Sequence, residues 1–415
     1  MIDRTHALQR FSFRFPSDVR RLVAPAVIIL GLVLPLKVSG DENVPCGGPF
    51  PFFVDGLKAE ALASGFDLPA VEEFFAGVVH NPDTIRRDRA QGIFRKSFIE
   101  FSKLVMAEYR IVQGAKFEKD HSSVFDRVED VYGVQRGVLL SFLALETDFG
   151  LVQGDHNTLN SLVTLSHDCR RPGLFRPHIF AALELFRRGD FDPAGTVGAW
   201  AGEIGMIQML PSDILEYGQD GDGDGRVDLK SSTWDALMTA GRVLHELGWE
   251  PNQPWLVEVI VPRSLDWSET GLGHEKTVAE WMDLGVRLRT DQRLDSSLTA
   301  SILLPHGRFG PAFFALDNFR LYFEWNRSFV YATTSAFFAT LLSGSPMYLD
   351  GSAPPPLAED EIRRLQESLR SRGHDVGAVD GIVGSRTRSA VQAEQVRHGL
   401  PADAWPTLEL LDLLS

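Results

Sequence analysis

Apolar residues recur at helical spacing along much of the chain, and this periodicity is the strongest constraint on its fold. Between about residues 54 and 197 few stretches alternate apolar with polar residues. One clear stripe, at positions i, i+3, i+4 and i+7, consists of Ile179, Ala182, Leu183 and Phe186. Helical patterning returns from Phe319 to Leu342, and one strand-like run, 256–261, is closed by Pro262. We therefore predict a mainly α fold with a small β element.

A proline-rich segment divides the chain. Residues 349–357 contain three consecutive prolines, which cannot continue a helix and favour an extended backbone. Beyond them, one helical stripe is formed by Ile362, Leu365 and Leu369, and a second helix is expected over 386–397. We predict a large domain over 41–348, a linker over 349–357 and a small helical domain over 358–415.

The first 40 residues have the pattern of a secretory signal peptide. Five arginines precede an uncharged apolar run from Leu22 to Leu36, and Val38 and Gly40 stand at −3 and −1 of a cleavage site. A retained membrane anchor is the alternative, although the run is short for a bilayer span and contains two prolines. We expect a periplasmic protein over 41–415, without a transmembrane anchor after cleavage.

Charge and cysteine content limit the partners and the compartment. The chain has 41 Lys and Arg against 56 Asp and Glu, a net charge of −15, and nucleic-acid binding would require a basic surface. We therefore expect no nucleic-acid partner. The two cysteines, Cys46 and Cys169, are predicted to form a disulfide in an oxidising compartment; two unpaired buried thiols are the alternative.

Glu146 is the first candidate for chemistry. It lies at the end of a helix that is apolar over most of its circumference, and we expect Gly150 to stop that helix. Burial among Leu and Phe side chains would raise the pKa of a carboxyl group, as a general acid near neutral pH requires. The alternative is a glutamate at the exposed edge of a buried helix.

A second candidate segment, 200–212, combines glycines with Trp200 and Gln208. Trp200 offers a flat face for a sugar ring, and the Gln208 amide offers both donors and an acceptor. The alternative is a turn leading into a helix near Pro211.

The third candidate is a loop of alternating aspartates and glycines. Its first nine positions fit an EF-hand-like calcium loop, although position twelve is Ser231 instead of Glu. The expected ligands of a structural Ca²⁺ are Asp220, Asp222, Asp224, the Arg226 carbonyl, Asp228 and, as a closing group, Asp235. A solvated acidic turn is the alternative. No cofactor is expected for chemistry, and the chain lacks the motifs of serine hydrolases, zinc peptidases and nucleotide enzymes.

Taken in order, these segments resemble the exported lytic murein transglycosylases of the membrane-bound lytic transglycosylase B type. The resemblance rests on Glu146–Gly150, Asn160–Leu165, Cys169–Arg171, Ala201–Ser212, the aspartate loop, Gly248–Trp249 and Asn326–Ala332. The segment 358–415 resembles a small peptidoglycan-binding domain through Leu365–Gln366, Gly377, Asp380–Gly381, Gly384, Thr387 and Gly399–Pro401.

This resemblance implies a lysozyme-like catalytic domain that cuts the MurNAc–GlcNAc β-1,4 bond and leaves 1,6-anhydro-MurNAc. Glu146 matches the single acid/base. Gln208, Asn326 and Tyr331 match positions that orient the sugar, and Arg170 and Arg171 match a basic pair suited to the acidic stem peptide. The implied partners are peptidoglycan glycan strands and stem peptides, with cell-wall synthesis or division machinery as a further one.

The sequence departs from the family pattern at three places. Ala199 stands where a small hydroxyl residue is more common, Glu203-Ile204 replace Ala-Met, and Glu394 takes a position usually given to Phe, which predicts looser packing of its helix. A second carboxylate at Glu203 would permit water activation, so a hydrolytic muramidase on the same fold is one alternative. A non-catalytic peptidoglycan-binding scaffold is the other.

Overall fold

The protein is described here by a computed structural model that covers residues 44–90 and 96–415. The segment interpreted as a signal peptide lies outside these residues. The helices of the large domain are α1 (Phe50–Ala63), α2 (Leu68–Phe75), α3 (Pro82–Arg89), α4 (Phe98–Val105), α5 (Glu108–Asp120), α6 (Ser122–Tyr132), α7 (Arg136–Thr147), α8 (Thr158–His167), α9 (Pro172–Arg188), α10 (Pro211–Tyr217), α11 (Thr233–Glu246), α12 (Val278–Asp283), α13 (Asp317–Trp325) and α14 (Phe329–Leu342). The fold is mainly α, as predicted.

Local sequence signals start and stop several of these helices. The Asp67 carboxylate accepts the Ala70 N–H at the start of α2, and Ser97 and Glu100 form a capping box on α4. Helix α9 carries the predicted stripe on its buried side and ends at Gly189, whose φ of 89° is the left-handed conformation that glycine adopts readily. Among the described residues, no helix combines the length and apolar character that a bilayer span needs.

The β structure is larger than the single predicted strand. The strands are β1 (His156–Asn157), β2 (Val197–Gly198), β3 (Leu256–Ile260), β4 (Lys276–Thr277), β5 (Arg287–Leu288), β6 (Thr299–Leu303) and β7 (Ala312–Ala315). β1 pairs with β2, and the other five form an antiparallel sheet in the order β4-β6-β7-β3-β5. The predicted strand is β3, and its residues Leu256–Val259 pair with β7.

The small domain consists of α15 (Glu359–Ser371), α16 (Ser385–Arg397) and α17 (Leu408–Leu414). The predicted stripe Ile362, Leu365 and Leu369 is buried, and Leu365 and Leu369 pack in a separate small-domain core with Leu410. Glu394 is also buried, and its carboxylate contacts His374, Arg397 and His398.

The segment predicted as a linker has no helix or strand, but its first residues contact the large domain. The Leu349 N–H donates to the Glu258 carboxylate at 2.9 Å, and the Ser352 N–H donates to the Phe309 carbonyl at 2.7 Å. The chain therefore follows the sheet before it reaches the prolines.

A disulfide joins Cys46 to Cys169, with a Cα–Cα distance of 5.3 Å. It links the start of the described chain to the turn between α8 and α9, where the Gly47 N–H also donates to the His167 carbonyl. The bond spans 123 residues in sequence, so it restricts the unfolded chain strongly.

We expect reduction of this disulfide, or the double substitution Cys46→Ser/Cys169→Ser, to lower the free energy of unfolding by about 2–5 kcal/mol. The measurement is denaturant unfolding with and without reductant. Reductant should leave the double variant unchanged, because it has no cysteine left. A wild-type unfolding midpoint that is the same with and without reductant would contradict this prediction.

Candidate active site

Glu146 lies in the last turn of α7 and is 1% exposed. Helix α7 is buried along nearly all of its length and packs against α14. It ends at Thr147, earlier than the predicted stop at Gly150, because Asp148 already adopts a left-handed φ of 53°. The Asp148 carboxylate forms an ion pair with Arg110 at 2.9 Å.

Two aromatic residues hold one oxygen of the Glu146 carboxyl group. The Trp325 indole N–H donates to Glu146 Oε1 at 3.0 Å, and the Tyr331 hydroxyl donates to the same oxygen. The Trp325 ring is stacked on Phe142, one turn before Glu146, with ring centroids 4.1 Å apart. These contacts fix the orientation of the carboxyl group.

Burial raises the pKa of Glu146 to about 8, since an ionised carboxylate loses its hydration there. The hydrogen bonds from Tyr331 and Trp325 stabilise the ionised form and oppose this rise, and the nearby charge of Glu203 adds to it. Glu146 is therefore mostly protonated at neutral pH and able to donate a proton.

Gln208 lies in a tight turn beside the end of α7. The turn is closed by a β-bridge between Ile204 and Met209, and Gln208 itself has a left-handed φ of 52°. Its Nε2 donates to the Gly205 carbonyl at 2.8 Å. The Thr147 hydroxyl donates to the Met206 carbonyl at 2.7 Å, which connects this turn directly to α7.

Asn326 follows α13 directly after Trp325, whose indole N–H donates to Glu146. It is 2% exposed, and its Oδ1 accepts the Ser328 N–H at 2.9 Å, just before α14 begins. Three buried polar atoms of these segments have no hydrogen-bond partner among the described residues: Glu146 Oε2, Gln208 Oε1 and Asn326 Nδ2. Buried polar groups are normally satisfied, so these three atoms are available to a polar ligand.

The other predicted contact residues, Trp200, Arg170 and Arg171, contact other parts of the protein. Trp200 is partly buried, and its ring packs against the main hydrophobic core. Arg170 and Arg171 both form ion pairs with the buried carboxylate of Asp88, which balances one of their two charges. The predicted contact of these arginines with a stem peptide stays a prediction.

The aspartate loop brings part of its predicted ligand set together. Carboxylate oxygens of Asp220, Asp222 and Asp235 lie within 4.8 Å of one another, and Asp235 is buried. Asp224 and Asp228 are outside this group, and their carboxylates accept backbone N–H groups of Arg226, Lys230 and Ser231. An all-oxygen set of three carboxylates suits a hard cation such as Ca²⁺, which would offset their mutual repulsion.

The loop also supports the turn that carries Gln208. The Met206 N–H donates to the Leu229 carbonyl at 2.8 Å, directly after the loop. A side chain at Gly205 would place its Cβ 2.4 Å from the Leu229 oxygen, so glycine is required for this close approach. The Gln153 side chain adds a bond to the Lys230 carbonyl at 3.0 Å.

Comparison with known families assigns the fold. Residues 49–340 match the transglycosylase SLT domain, and residues 358–414 match a peptidoglycan binding domain. The chain belongs to the transglycosylase SLT domain family, and its larger domain has the lysozyme-like fold of that family.

Individual relatives agree with this assignment. SltB3 of Pseudomonas aeruginosa, solved in complex with NAG-anhNAM-pentapeptide, is 34% identical, with a TM-score of 0.81 over 89% of this chain and 100% of that chain. Membrane-bound lytic murein transglycosylase B of Escherichia coli K12 is 26% identical over 57% of this chain and 64% of that protein. Escherichia coli Slt35, solved in complex with calcium, shares the fold at 22% identity and a TM-score of 0.62, covering 74% of this chain and 98% of that chain.

Two contacts in the site were not predicted from the sequence. Trp325 directly precedes Asn326 of the recognised motif, and a tryptophan beside a candidate contact residue is the signal that could have indicated it. Asp88 pairs with Arg170 and Arg171, which are 82 and 83 residues away in sequence, and nothing in the sequence indicates these contacts.

The raised pKa of Glu146 predicts a pH-dependent cost to stability. The folded protein keeps this proton up to about pH 8, whereas the unfolded chain releases it near pH 4.5, so stability falls between these values. We expect Glu146→Gln to be as stable as the wild type at pH 4 and more stable by on the order of 3 kcal/mol at pH 7.

Denaturant unfolding at both pH values measures this difference. The matched control is Glu367→Gln, which changes an exposed glutamate on α15 and should show no pH-dependent gain. Equal stability differences for Glu146→Gln at pH 4 and pH 7 would show that the carboxyl group is ionised in the folded protein.

Proposed function

We propose that this protein is a lytic murein transglycosylase that cleaves the MurNAc–GlcNAc β-1,4 bond of peptidoglycan and forms 1,6-anhydro-MurNAc. The observation that carries the proposal is the buried Glu146 carboxyl group, protonated near neutral pH, with one oxygen held by aromatic donors and the other uncommitted among the described residues. A single acid of this kind can act first as an acid and then as a base.

In the first step the Glu146 proton moves to the leaving glycosidic oxygen as the bond from that oxygen to C1 of MurNAc breaks. The substrate's own N-acetyl group meets the charge at C1, as in glycosidases that dispense with a second carboxylate. In the second step the Glu146 carboxylate takes the proton of the C6 hydroxyl, and O6 bonds to C1. No water enters the product.

Gln208 and Asn326 are the groups we assign to the sugar. Each has a buried amide atom with no hydrogen-bond partner among the described residues, one an acceptor and one a donor. These atoms suit the acetamido N–H and carbonyl of the substrate. Trp200, Arg170 and Arg171 are proposed as outer contacts to sugar and stem peptide.

We place the protein in the periplasm, bound to peptidoglycan strands. The disulfide suits an oxidising compartment, and SltB3 of Pseudomonas aeruginosa has been solved with peptidoglycan fragments bound. The small domain is proposed to add a second contact with the wall through its peptidoglycan binding fold.

We expect digestion of purified sacculi to release muropeptides that end in 1,6-anhydro-MurNAc, because the C6 hydroxyl replaces water. Mass spectrometry of the soluble products measures this. We expect Glu146→Gln to sediment with sacculi as the wild type does and to release less than about one thousandth as much product, since general acid and base roles are both lost.

Three other outcomes would contradict this proposal. Products heavier by one water would identify a hydrolytic muramidase. Binding without any product from the folded wild type would identify a peptidoglycan-binding scaffold. Undiminished release by Glu146→Gln would remove Glu146 from the mechanism.

We also propose that the aspartate loop binds a structural Ca²⁺ through Asp220, Asp222 and Asp235. The convergence of their oxygens supports it, and the hydrogen bond from Met206 to Leu229 would carry the stabilisation to the turn that holds Gln208. The ion would contribute to stability and take no part in bond cleavage.

We expect Ca²⁺ at a hundred times its dissociation constant to stabilise the wild type by about 2.7 kcal/mol relative to chelator. Asp222→Asn should lose most of this gain in thermal unfolding. The variant Asp224→Asn distinguishes the two possible ligand sets. If it keeps the stabilisation by Ca²⁺, the ligands are the three carboxylates. If it loses as much of that stabilisation as Asp222→Asn does, the ligands are the longer EF-hand-like set. Identical unfolding of the wild type in Ca²⁺ and chelator would exclude the site.

A further inference from the structure

A cavity of about 260 Å³ lies between the two domains. Its large-domain side consists of the loop 270–274, the end of β6 and Phe329, which is the first residue of α14. Its small-domain side includes one face of α16, formed by Ser385, Arg388, Ser389 and Gln392. The lining contains none of the residues assigned above to catalysis, to the sugar or to the calcium ion.

Arg388 contributes a buried positive charge to this interdomain cavity. It is 8% exposed, and its Nη2 donates to the Leu304 carbonyl at 2.6 Å and its Nη1 to the Pro305 carbonyl at 3.5 Å. Its Cζ lies 4.8 Å from the centre of the Phe329 ring. None of these partners is a carboxylate, and a guanidinium has five N–H donors, so Arg388 keeps donors for a further acceptor.

The one acidic residue in the described lining, Asp403, is already paired. Its Oδ2 accepts from the Arg308 side chain at 2.9 Å, and its Oδ1 accepts from the Gln395 amide at 3.1 Å. Burial lowers the pKa of Arg388 to about 10 against the attraction of Asp403, so the guanidinium stays charged at pH 7. Its charge is only partly compensated within the protein, and a buried charge of this kind favours an anionic ligand.

Helix α16 begins at the same cavity. In the described structure no side chain caps its first N–H groups, and no acidic residue lies in its first turn. The N-terminal end of a helix favours an anion, because its unpaired N–H groups carry partial positive charge. Ser385, the first residue of the helix, lines the cavity together with Arg388, and Ser385 and Ser389 are exposed at its edge. The guanidinium and the helix end therefore favour an anion in one place that solvent can reach.

The position of the cavity indicates which anion can reach it. Phe329 follows Asn326, which we assign to the sugar, by three residues, so their Cα atoms are at most about 11 Å apart. A five-residue peptide spans about 17 Å when extended. An acidic stem peptide on a MurNAc held near Asn326 is therefore long enough to reach Arg388. The single permanent cation in the described lining matches the single charge of a carboxylate.

We propose that the interdomain cavity is a second substrate site, in which Arg388 and the N-terminal end of α16 bind a carboxylate of a peptidoglycan stem peptide. This inference rests on the proposed function for the identity of its partner. The cavity binds and makes or breaks no covalent bond. A glycan strand with its sugar beside Glu146 and its stem peptide at Arg388 is held by both domains at once.

The test is titration calorimetry of the full chain with a synthetic stem pentapeptide in two forms. One form keeps its carboxylates, and in the other every carboxylate is amidated. We expect the carboxylate form to bind at least about tenfold more tightly, since the amide loses the charged hydrogen bond to the guanidinium. Equal affinities for the two forms, or no binding of the carboxylate form, would overturn the inference.

Arg388→Gln removes the guanidinium and should weaken binding of the carboxylate form by at least about tenfold. The matched control is Arg386→Gln, which removes the same charge from the same turn of α16, at an exposed position outside the cavity lining. We expect this control to bind as the wild type does. A folded Arg388→Gln protein with wild-type affinity would show that the carboxylate binds elsewhere, for example at Arg170 and Arg171, and the inference would be wrong.

A second variant leaves the contacts of Arg388 in place, in case its replacement disturbs the packing of the domains. Ser389→Glu puts a carboxylate at the exposed edge of the cavity, where it repels the peptide and competes for Arg388. We expect several-fold weaker binding of the carboxylate form and unchanged binding of the amide. Ala393→Glu adds the same charge to an exposed position of α16 outside the lining, and equal affinities for these two variants would contradict the proposal. Thermal unfolding checks the fold of each variant.

Product masses from sacculi separate this inference from the proposed function. If the wild type releases anhydro products and Arg388→Gln binds the peptide normally, only the role of the cavity is wrong. If the peptide titrations give the expected results and the wild type releases no anhydro products, the cavity is a stem-peptide site and the proposed reaction is wrong.

Discussion

The carboxyl group of Glu146 is held away from water, and much of the packing in the large domain keeps it there. Removing a carboxylate from water costs more than two hydrogen bonds return, which is why the pKa of Glu146 reaches about 8 in spite of Trp325 and Tyr331. The stack of Phe142 on Trp325 belongs to the same arrangement, because it fixes the indole N–H toward the carboxyl group. The aromatic residues therefore supply both the dry surroundings and the orientation.

Close contact between α7 and α14 makes this burial possible. A side chain at Gly137 would place its Cβ 2.7 Å from the Ala339 carbonyl, so glycine lets the two helices approach. The hydroxyls of Ser141 and Ser335 lie 3.3 Å apart across the same contact. One turn or two further along, this packing brings Tyr331 against Glu146. The position of the reactive group thus depends on small residues well away from it.

The sequence predicted the mainly helical fold and singled out Glu146 because the signals for both are local. The stripe on α9 and the apolar helix before Glu146 are periodic, and periodicity follows directly from burial on one side. Strands β6 and β7 were missed because β7 is fully buried and β6 nearly so, and such strands show no alternation. The early end of α7 depends on a left-handed aspartate, Asp148, which sequence does not distinguish from an ordinary helical residue. Contacts such as Asp88 with Arg170 depend on packing over long sequence distances.

In the small domain, Glu394 is buried where the family resemblance predicts an apolar residue, and neighbouring basic side chains compensate its charge. The Glu394 carboxylate, at a position where Phe is more usual, lies within 2.7 Å of His374 and 3.2 Å of Arg397. The prediction of looser packing for this helix considered only the lost apolar contact. Burial raises the pKa of Glu394, but basic partners on α16 and in the turn after α15 outweigh it, and the net pKa is lowered.

The same helix carries a contact between the two domains. The buried Arg388 guanidinium donates to the Leu304 carbonyl at 2.6 Å and lies over the Phe329 ring. A buried cation must be satisfied on all sides, so Arg388 fixes α16 against both the end of β6 and the first residue of α14. Arg308 and Asp403 add an ion pair at 2.9 Å across the same boundary. Helix α14 also carries Tyr331, so the small domain packs against the first residue of the helix whose Tyr331 donates to Glu146.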